Sequence, residues 1–180
     1  RECFEESGVL MATSSALATR PTSDALVEAR SALNAGSLPF NQMLATWSMT
    51  PDATAMQLVA RWVTPLGSPR RFDARFFITA CPDSNQAGHD DQELVDSAWM
   101  TPQSVLDAFA SGEMDLMTPT LRMLKNLSRH ESVADVFSYL EAHRNFERIR
   151  VADGSRELLL TGEPGYDDAL ENVETGWVRL

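Results

Sequence analysis

The sequence predicts an α+β protein: strand-like and helix-like runs are both present, and they do not alternate in the regular order of a parallel α/β fold. Residues 56–64 (MQLVARWVT) and 72–80 (FDARFFITA) are rich in β-branched and aromatic side chains and are bounded by turn residues, as strands are. The loop between them, Pro65-Leu66-Gly67-Ser68-Pro69, suits an antiparallel pair joined by a wide turn. Residues 25–34, 40–47, 102–110, 119–127 and 132–142 instead read as amphipathic helices.

In chain order, the first nine residues are the most informative. Arg1-Glu2-Cys3-Phe4-Glu5-Glu6-Ser7-Gly8-Val9 reads as a short helix stopped by Gly8, because glycine accepts the left-handed conformation of a C-cap. On that helix Glu2, Glu5 and Glu6 stand at i, i+3 and i+4 and share a face. Like charges so placed repel, and a cation relieves the repulsion. Hard carboxylate oxygens suit Mg²⁺ or Mn²⁺, and Mg²⁺ favours substrate phosphates as its further ligands.

Residues 9–18 are small and apolar and predict a short strand or helix. Thr22-Ser23-Asp24 is a helix-start cluster, and Leu26, Ala29, Arg30 and Leu33 fall on one stripe of the helix that follows. Residues 11–50 thus form a mostly helical insertion. A polar loop at 82–91 contains Gly88 and three aspartates, and residues 93–100 (ELVDSAWM) predict a third strand. Pro102 opens the next helix at a position where proline is tolerated. Near the end, residues 148–151 and 157–161 flank Asp153-Gly154, a hairpin signal.

Composition narrows the function. A length of 180 residues, 43% hydrophobic and 23% charged, suits one globular domain. No apolar run approaches the ~18 residues of a membrane span. A net charge of −11 argues against nonspecific nucleic-acid binding but not against a phosphate substrate met through a bound metal. Cys3 and Cys81 form no disulfide or zinc framework, which predicts a reducing, cytoplasmic setting. Trp47, Trp62, Trp99 and Trp177 read as packing residues, Met43, Met49 and Met56 as gap fillers, and His130 as a surface residue. There is no Ser-His-Asp or Cys-His nucleophile arrangement.

The opening segment resembles the second half of the Nudix signature, G-x5-E-x7-R-E-U-x-E-E-x-G-U with U a bulky aliphatic. Arg1-Glu2, Glu5-Glu6 and Gly8-Val9 match, and Cys3 takes a U position. The first half of the signature does not occur in these residues. Further segments resemble the long-insertion branch related to peroxisomal acyl-coenzyme A diphosphatases. They are W-V-T-P at Trp62 to Pro65, R-F-D-A-R-F-F at Arg71 to Phe77, Glu93, W-M-T-P at Trp99 to Pro102, and P-T-x-x-x-L at Pro119 to Leu124. Ala74 stands where that branch carries a hydroxyl residue.

The resemblance implies a Nudix-type mixed sheet sandwiched by helices, with the insertion after the Nudix helix and extra C-terminal helices. Residues 1–142 would form the Nudix domain, and 143–180 a hairpin and tail of the same domain. It implies a metal-dependent hydrolase that splits the diphosphate of a nucleoside diphosphate derivative, such as coenzyme A or acyl-coenzyme A. ADP-ribose or a dinucleotide as substrate, or a nucleotide-sensing domain without catalysis, are the alternatives. Glu5 and Glu6 would hold Mg²⁺ or Mn²⁺, Glu2 would be a ligand or base, and Arg1 would orient Glu2. Glu93 would be the further acidic residue, with His89, Asp90 and Asp91 competing for that role. Arg71 and Arg75 would contact substrate phosphates, since guanidinium groups bind phosphate oxygens bidentately. The partner is a small molecule, with no nucleic acid and no membrane, and a homodimer through the insertion around Trp47 is a further expectation.

Overall fold

The computed structural model describes residues 1–14, 21–54, 56–81, 87–89 and 96–179. The chain divides into two compact units, Arg1–Met56 with Thr79–Trp99, and Gln57–Ile78 with Met100–Leu180.

The first unit is mainly helical. Helix α1 (Glu2–Ser7) turns Phe4, 2% exposed, into the core and leaves Glu2 and Cys3 exposed. Strand β1 (Ala12–Ser14) follows. Helix α2 (Ser23–Asn34) begins where Thr22 Oγ1 accepts a hydrogen bond from the Ala25 N–H at 3.3 Å. Asp24 adds a favourable charge in its first turn. Leu26, Ala29 and Leu33 form the buried stripe of α2, packed with Phe4 and with Met43 and Leu44 of helix α3 (Phe40–Thr46). Ser48, at φ 51°, turns the chain into strand β2 (Met49–Pro51). Strands β1 and β2 pair antiparallel, with Thr13 opposite Thr50. The insertion is therefore helical between two strand ends, where β-branched threonines meet a partner that only folding supplies.

The second unit is built on a four-stranded sheet of order β4-β3-β8-β5. Its hairpin consists of β3 (Gln57–Val63) and β4 (Asp73–Ile78), with a register irregularity between Leu58 and Ala60. Helices α4 (Pro102–Ser111), α5 (Thr118–Leu127) and α6 (Val133–Ala142) follow. Strand β5 (Glu147–Arg148) comes next, then a small hairpin of β6 (Arg150–Val151) and β7 (Leu158–Leu159). Strand β8 (Gly176–Val178) then returns to lie between β3 and β5. The core joins Val59, Ala60 and Trp62 of β3 to Met123 of α5, Val136 and Leu140 of α6, Ile149 and Val178. Every pairing among the described residues is antiparallel. The class is α+β as expected, while the parallel pairing of a mixed sheet does not occur among those residues.

Two of the four Thr-Pro pairs, Thr101-Pro102 and Thr118-Pro119, are helix starts. Thr101 Oγ1 accepts from the Ser104 N–H at 3.1 Å ahead of Pro102, and Pro119 lies in the first turn of α5. Each local signal agrees with the element it begins, which is why α4 and α5 lie where the sequence places them.

Three expectations change. Residues 96–100 are not a strand, and 93–95 lie outside the described residues. Asp96 Oδ1 accepts from the Ser97 N–H at 2.8 Å, and the Ser97 hydroxyl bonds His89, so short polar side chains compete with a ladder there. The second strand is shorter than residues 72–80, since β4 runs from Asp73 to Ile78, and Arg71 lies before it. Trp99 is 63% exposed and is not a core residue, unlike Trp62 at 3%. No helix among the described residues is long and apolar enough to cross a membrane.

Candidate functional site

The acidic face of α1 is held from both ends. At its start Arg1 Nη1 donates to both carboxylate oxygens of Glu5, at 2.7 and 2.6 Å, while its Nη2 reaches Glu2 at 3.4 Å. Arg1 thus serves Glu5 more closely than Glu2. The hydrogen bond to Glu5, then its charge, raises the Arg1 pKa above the ordinary arginine value. Glu5 is the sheltered carboxylate, its side chain 15% exposed against 76% for Glu2. Glu6 makes no ion pair among the described residues.

At the C-terminal end Gly8 adopts φ 76°, and its N–H caps the Phe4 carbonyl at 3.0 Å. The last carbonyls are met by a side chain that the sequence places on an apolar stripe. Arg30 of α2 donates to the carbonyls of Glu5 at 2.9 Å and Glu6 at 2.5 Å, and Asn34 Nδ2 reaches Glu5 O at 3.4 Å. The same guanidinium bonds the Gly88 carbonyl at 2.8 Å, and the Gly88 N–H donates to Ser7 O at 2.8 Å. Segment 87–89 is thereby tied to the end of α1. The described positions that flank Glu93, His89 and Ser97, are bonded to one another, Nδ1 to Oγ at 2.9 Å. Glu93, Asp90 and Asp91 lie outside the described residues.

Arg30 is visible in the sequence only as a charge on an apolar stripe. That mismatch is the signal that could have found it, because a half-buried guanidinium needs acceptors. Arg30→Gln in the intact protein is expected to lower stability by about 2 kcal/mol, since carbonyls lose charged donors. A fall in Tm of about 4–8 °C would register it, and an unchanged Tm would refute the clamp.

The donor chemistry of Glu2, Glu5 and Glu6 fits a hard divalent cation. Among the described residues, no group of three His, Cys, Asp or Glu side chains already converges as a metal cage.

The second unit carries the predicted arginines. On the exposed face of the β3–β4 hairpin, Arg61 holds Asp73 with two bonds of 2.8 and 2.9 Å and Glu174 at 2.6 Å. The Arg61 guanidinium lowers the Asp73 pKa below the usual carboxylate value, and Asp73 in turn raises that of Arg61. Part of this face is therefore a salt-bridged surface. Arg71 Nε donates to the Thr64 carbonyl at 2.8 Å and Phe72 N–H to Thr64 Oγ1 at 3.0 Å, so W-V-T-P and R-R-F-D meet where the hairpin closes. Arg75 makes no ion pair among the described residues.

The family model described as the NUDT19 Nudix domain matches residues 1–127. The chain belongs to this Nudix family. It is 29% identical over 194 aligned residues to the human protein named acyl-coenzyme A diphosphatase NUDT19 (Homo sapiens), covering 96% of this chain and 52% of the relative. To the chicken protein of the same name (Gallus gallus) it is 28% identical over 187 residues, covering 88% of this chain and 49% of the relative. The chain spans about half the length of the curated relatives it matches. No solved structure matches it. For a Nudix chain, the short helix with its glycine cap is the element on which the family signature falls.

Proposed function

We propose that the intact protein is a Mg²⁺- or Mn²⁺-dependent diphosphatase acting on coenzyme A or an acyl-coenzyme A. The observation that carries this is Arg1-Glu2-x-x-Glu5-Glu6-x-Gly8 folded as one capped helix in a Nudix chain whose curated relatives are named for that activity. In the reaction a water oxygen adds to one phosphorus of the diphosphate, the bridging P–O bond breaks, and the bridging oxygen leaves with the other phosphate. A bound divalent cation would supply Lewis-acid polarisation of the phosphoryl oxygens and a more acidic water.

Each residue then has a task. Glu5 and Glu6 are the ligands and Glu2 is a ligand or base. Arg1 holds Glu5 in place until a stronger cation competes for it. Glu93, outside the described residues, is the further acidic group. Of the two substrate arginines, Arg75 makes no ion pair among the described residues, whereas Arg71 already spends Nε on Thr64. A homodimer and a cytoplasmic setting complete the reading.

The test is product analysis on the intact protein with Mg²⁺ or Mn²⁺. Acyl-coenzyme A should yield 3′,5′-ADP and acyl-phosphopantetheine. AMP with ribose 5-phosphate from ADP-ribose, and no cleavage of coenzyme A, would replace the substrate assignment. Tight calorimetric binding without any hydrolysis would replace the enzyme by a nucleotide sensor.

A further inference from the structure

Within the second unit, α5, α6, the segment after α6 and the start of the loop after β7 surround an open cavity of about 570 Å³. That is within the roughly 300–1,000 Å³ of small-molecule sites. The chain as a whole carries −11, yet Arg122, Lys125, Arg129, Arg144 and Arg179 all line this one cavity. Among the described residues, only Glu147 and Glu163 face them from its walls.

Two of these cations are already committed to the protein. Arg122 is ion-paired to Glu163 and donates to Leu158 O at 3.0 Å. Arg179 donates to the carbonyls of His143, at 2.9 Å, and of Leu140. Both shape the wall, and Arg122 takes Glu163 out of the balance. Lys125 and Arg129 make no ion pair among the described residues, and Arg144 donates through Nε to Glu141 O at 3.4 Å. Tyr139 and His143, stacked with ring centroids 4.0 Å apart, form a rigid side of the same space.

The C-terminal end of α5 accounts for some positive charge, because carbonyl dipoles there favour cations. It does not account for Arg144, which comes from beyond α6 and brings a like charge to the same space. Among the described residues, three cations have no carboxylate partner and Glu147 is the remaining carboxylate, which leaves a surplus that suits a dianion. We propose that this cavity binds a phosphate monoester, with Lys125, Arg129 and Arg144 as its charge partners. The ester is either a phosphate carried by the substrate or a separate phosphorylated small molecule. The site stands on its own geometry, whatever reaction the protein performs.

Isothermal calorimetry on the intact protein tests it, with inorganic phosphate and adenosine 3′,5′-bisphosphate as probes and adenosine as control. The phosphorylated probes should bind and adenosine should not. Lys125→Gln combined with Arg129→Gln should weaken binding at least about 10-fold, because two charged donors are lost. Arg144→Gln, on a different element, should weaken it independently. Wild-type affinity in these variants would overturn the proposal, as would absence of binding to the wild-type protein at millimolar probe. Turnover distinguishes the two sources. A matching rise in KM for acyl-coenzyme A with unchanged kcat assigns the site to the substrate's phosphate, and an unchanged KM assigns it to a separate ligand. The calorimetric comparison needs no turnover, so it decides the site even if the diphosphatase reading fails.

Discussion

Replacing Glu6 by glutamine in the intact protein is expected to lower metal-dependent turnover at least about 100-fold, more than the loss usual for a residue that only supports a ligand. Tm should hold or rise slightly. The two effects separate cleanly at this position. Glu6 makes no ion pair among the described residues, so glutamine removes no ion pair that stabilises the fold. It also relieves a like-charge pair with Glu2 at i, i+4. Its backbone carbonyl, held by Arg30, is untouched by the change. Glu5→Gln should lose turnover too, but there the ion pair that Arg1 Nη1 makes with both carboxylate oxygens is lost, so a small drop in stability accompanies it. Steady-state rates with Mg²⁺ titration, beside a melting curve, read both quantities. Wild-type Mg²⁺-dependent turnover in Glu6→Gln would sink the ligand assignment.

The largest expected loss of stability is at Gly176. Its φ of 104° lies where side-chain-bearing residues are strained. A Cβ there would come 1.8 Å from the Arg61 carbonyl oxygen and 2.7 Å from its carbon. Those atoms are backbone in the central strand β3, which is paired on both sides, so they have little room to yield. Gly176→Ala should therefore cost about 4 kcal/mol or more, or prevent folding of the sheet. Gly154 separates the two causes. It has φ 68°, and a methyl added there would meet nothing within 4 Å, so Gly154→Ala should cost only about 1–2 kcal/mol of backbone strain. Denaturant titration of both variants measures the difference. Equal losses would mean that β8 shifts away from β3 at little cost.

What is legible in the sequence is local. The acidic helix with its glycine stop, the caps at Thr22, Thr101 and Ser132, and the paired strands 57–63 and 73–78 all follow from residues a few positions apart. The Asp153-Gly154 signal likewise lies between β6 and β7, though those strands are shorter than the runs that announce them. The resemblance carried by Arg1 to Gly8 and the W-x-T-P segments leads to the family for the same reason, since a signature is a local pattern.

Elsewhere a partner distant in the chain decides. The hairpin-and-tail segment 143–180 supplies β8 to the main sheet, opposite Ala60, Arg61 and Trp62. Nothing in Gly176-Trp177-Val178 names that register. Residues 96–100 carry strand-like side chains but spend Asp96 and Ser97 on loop bonds. Arg71 Nε closes the β3–β4 connection on the Thr64 carbonyl, a contact that its place in the sequence does not name.

The sequence by itself therefore determined the class, the family and the chemical character of α1, because periodicity, capping and charge spacing act within a turn or two. Tertiary structure alone decided how each charge is used: Arg1 on Glu5, Arg30 on three carbonyls, Arg61 on Asp73, and a cluster of cations around one cavity. The physical reason is that a guanidinium or carboxylate reaches whichever partner the folded chain brings within about 3 Å, and sequence spacing does not encode that distance.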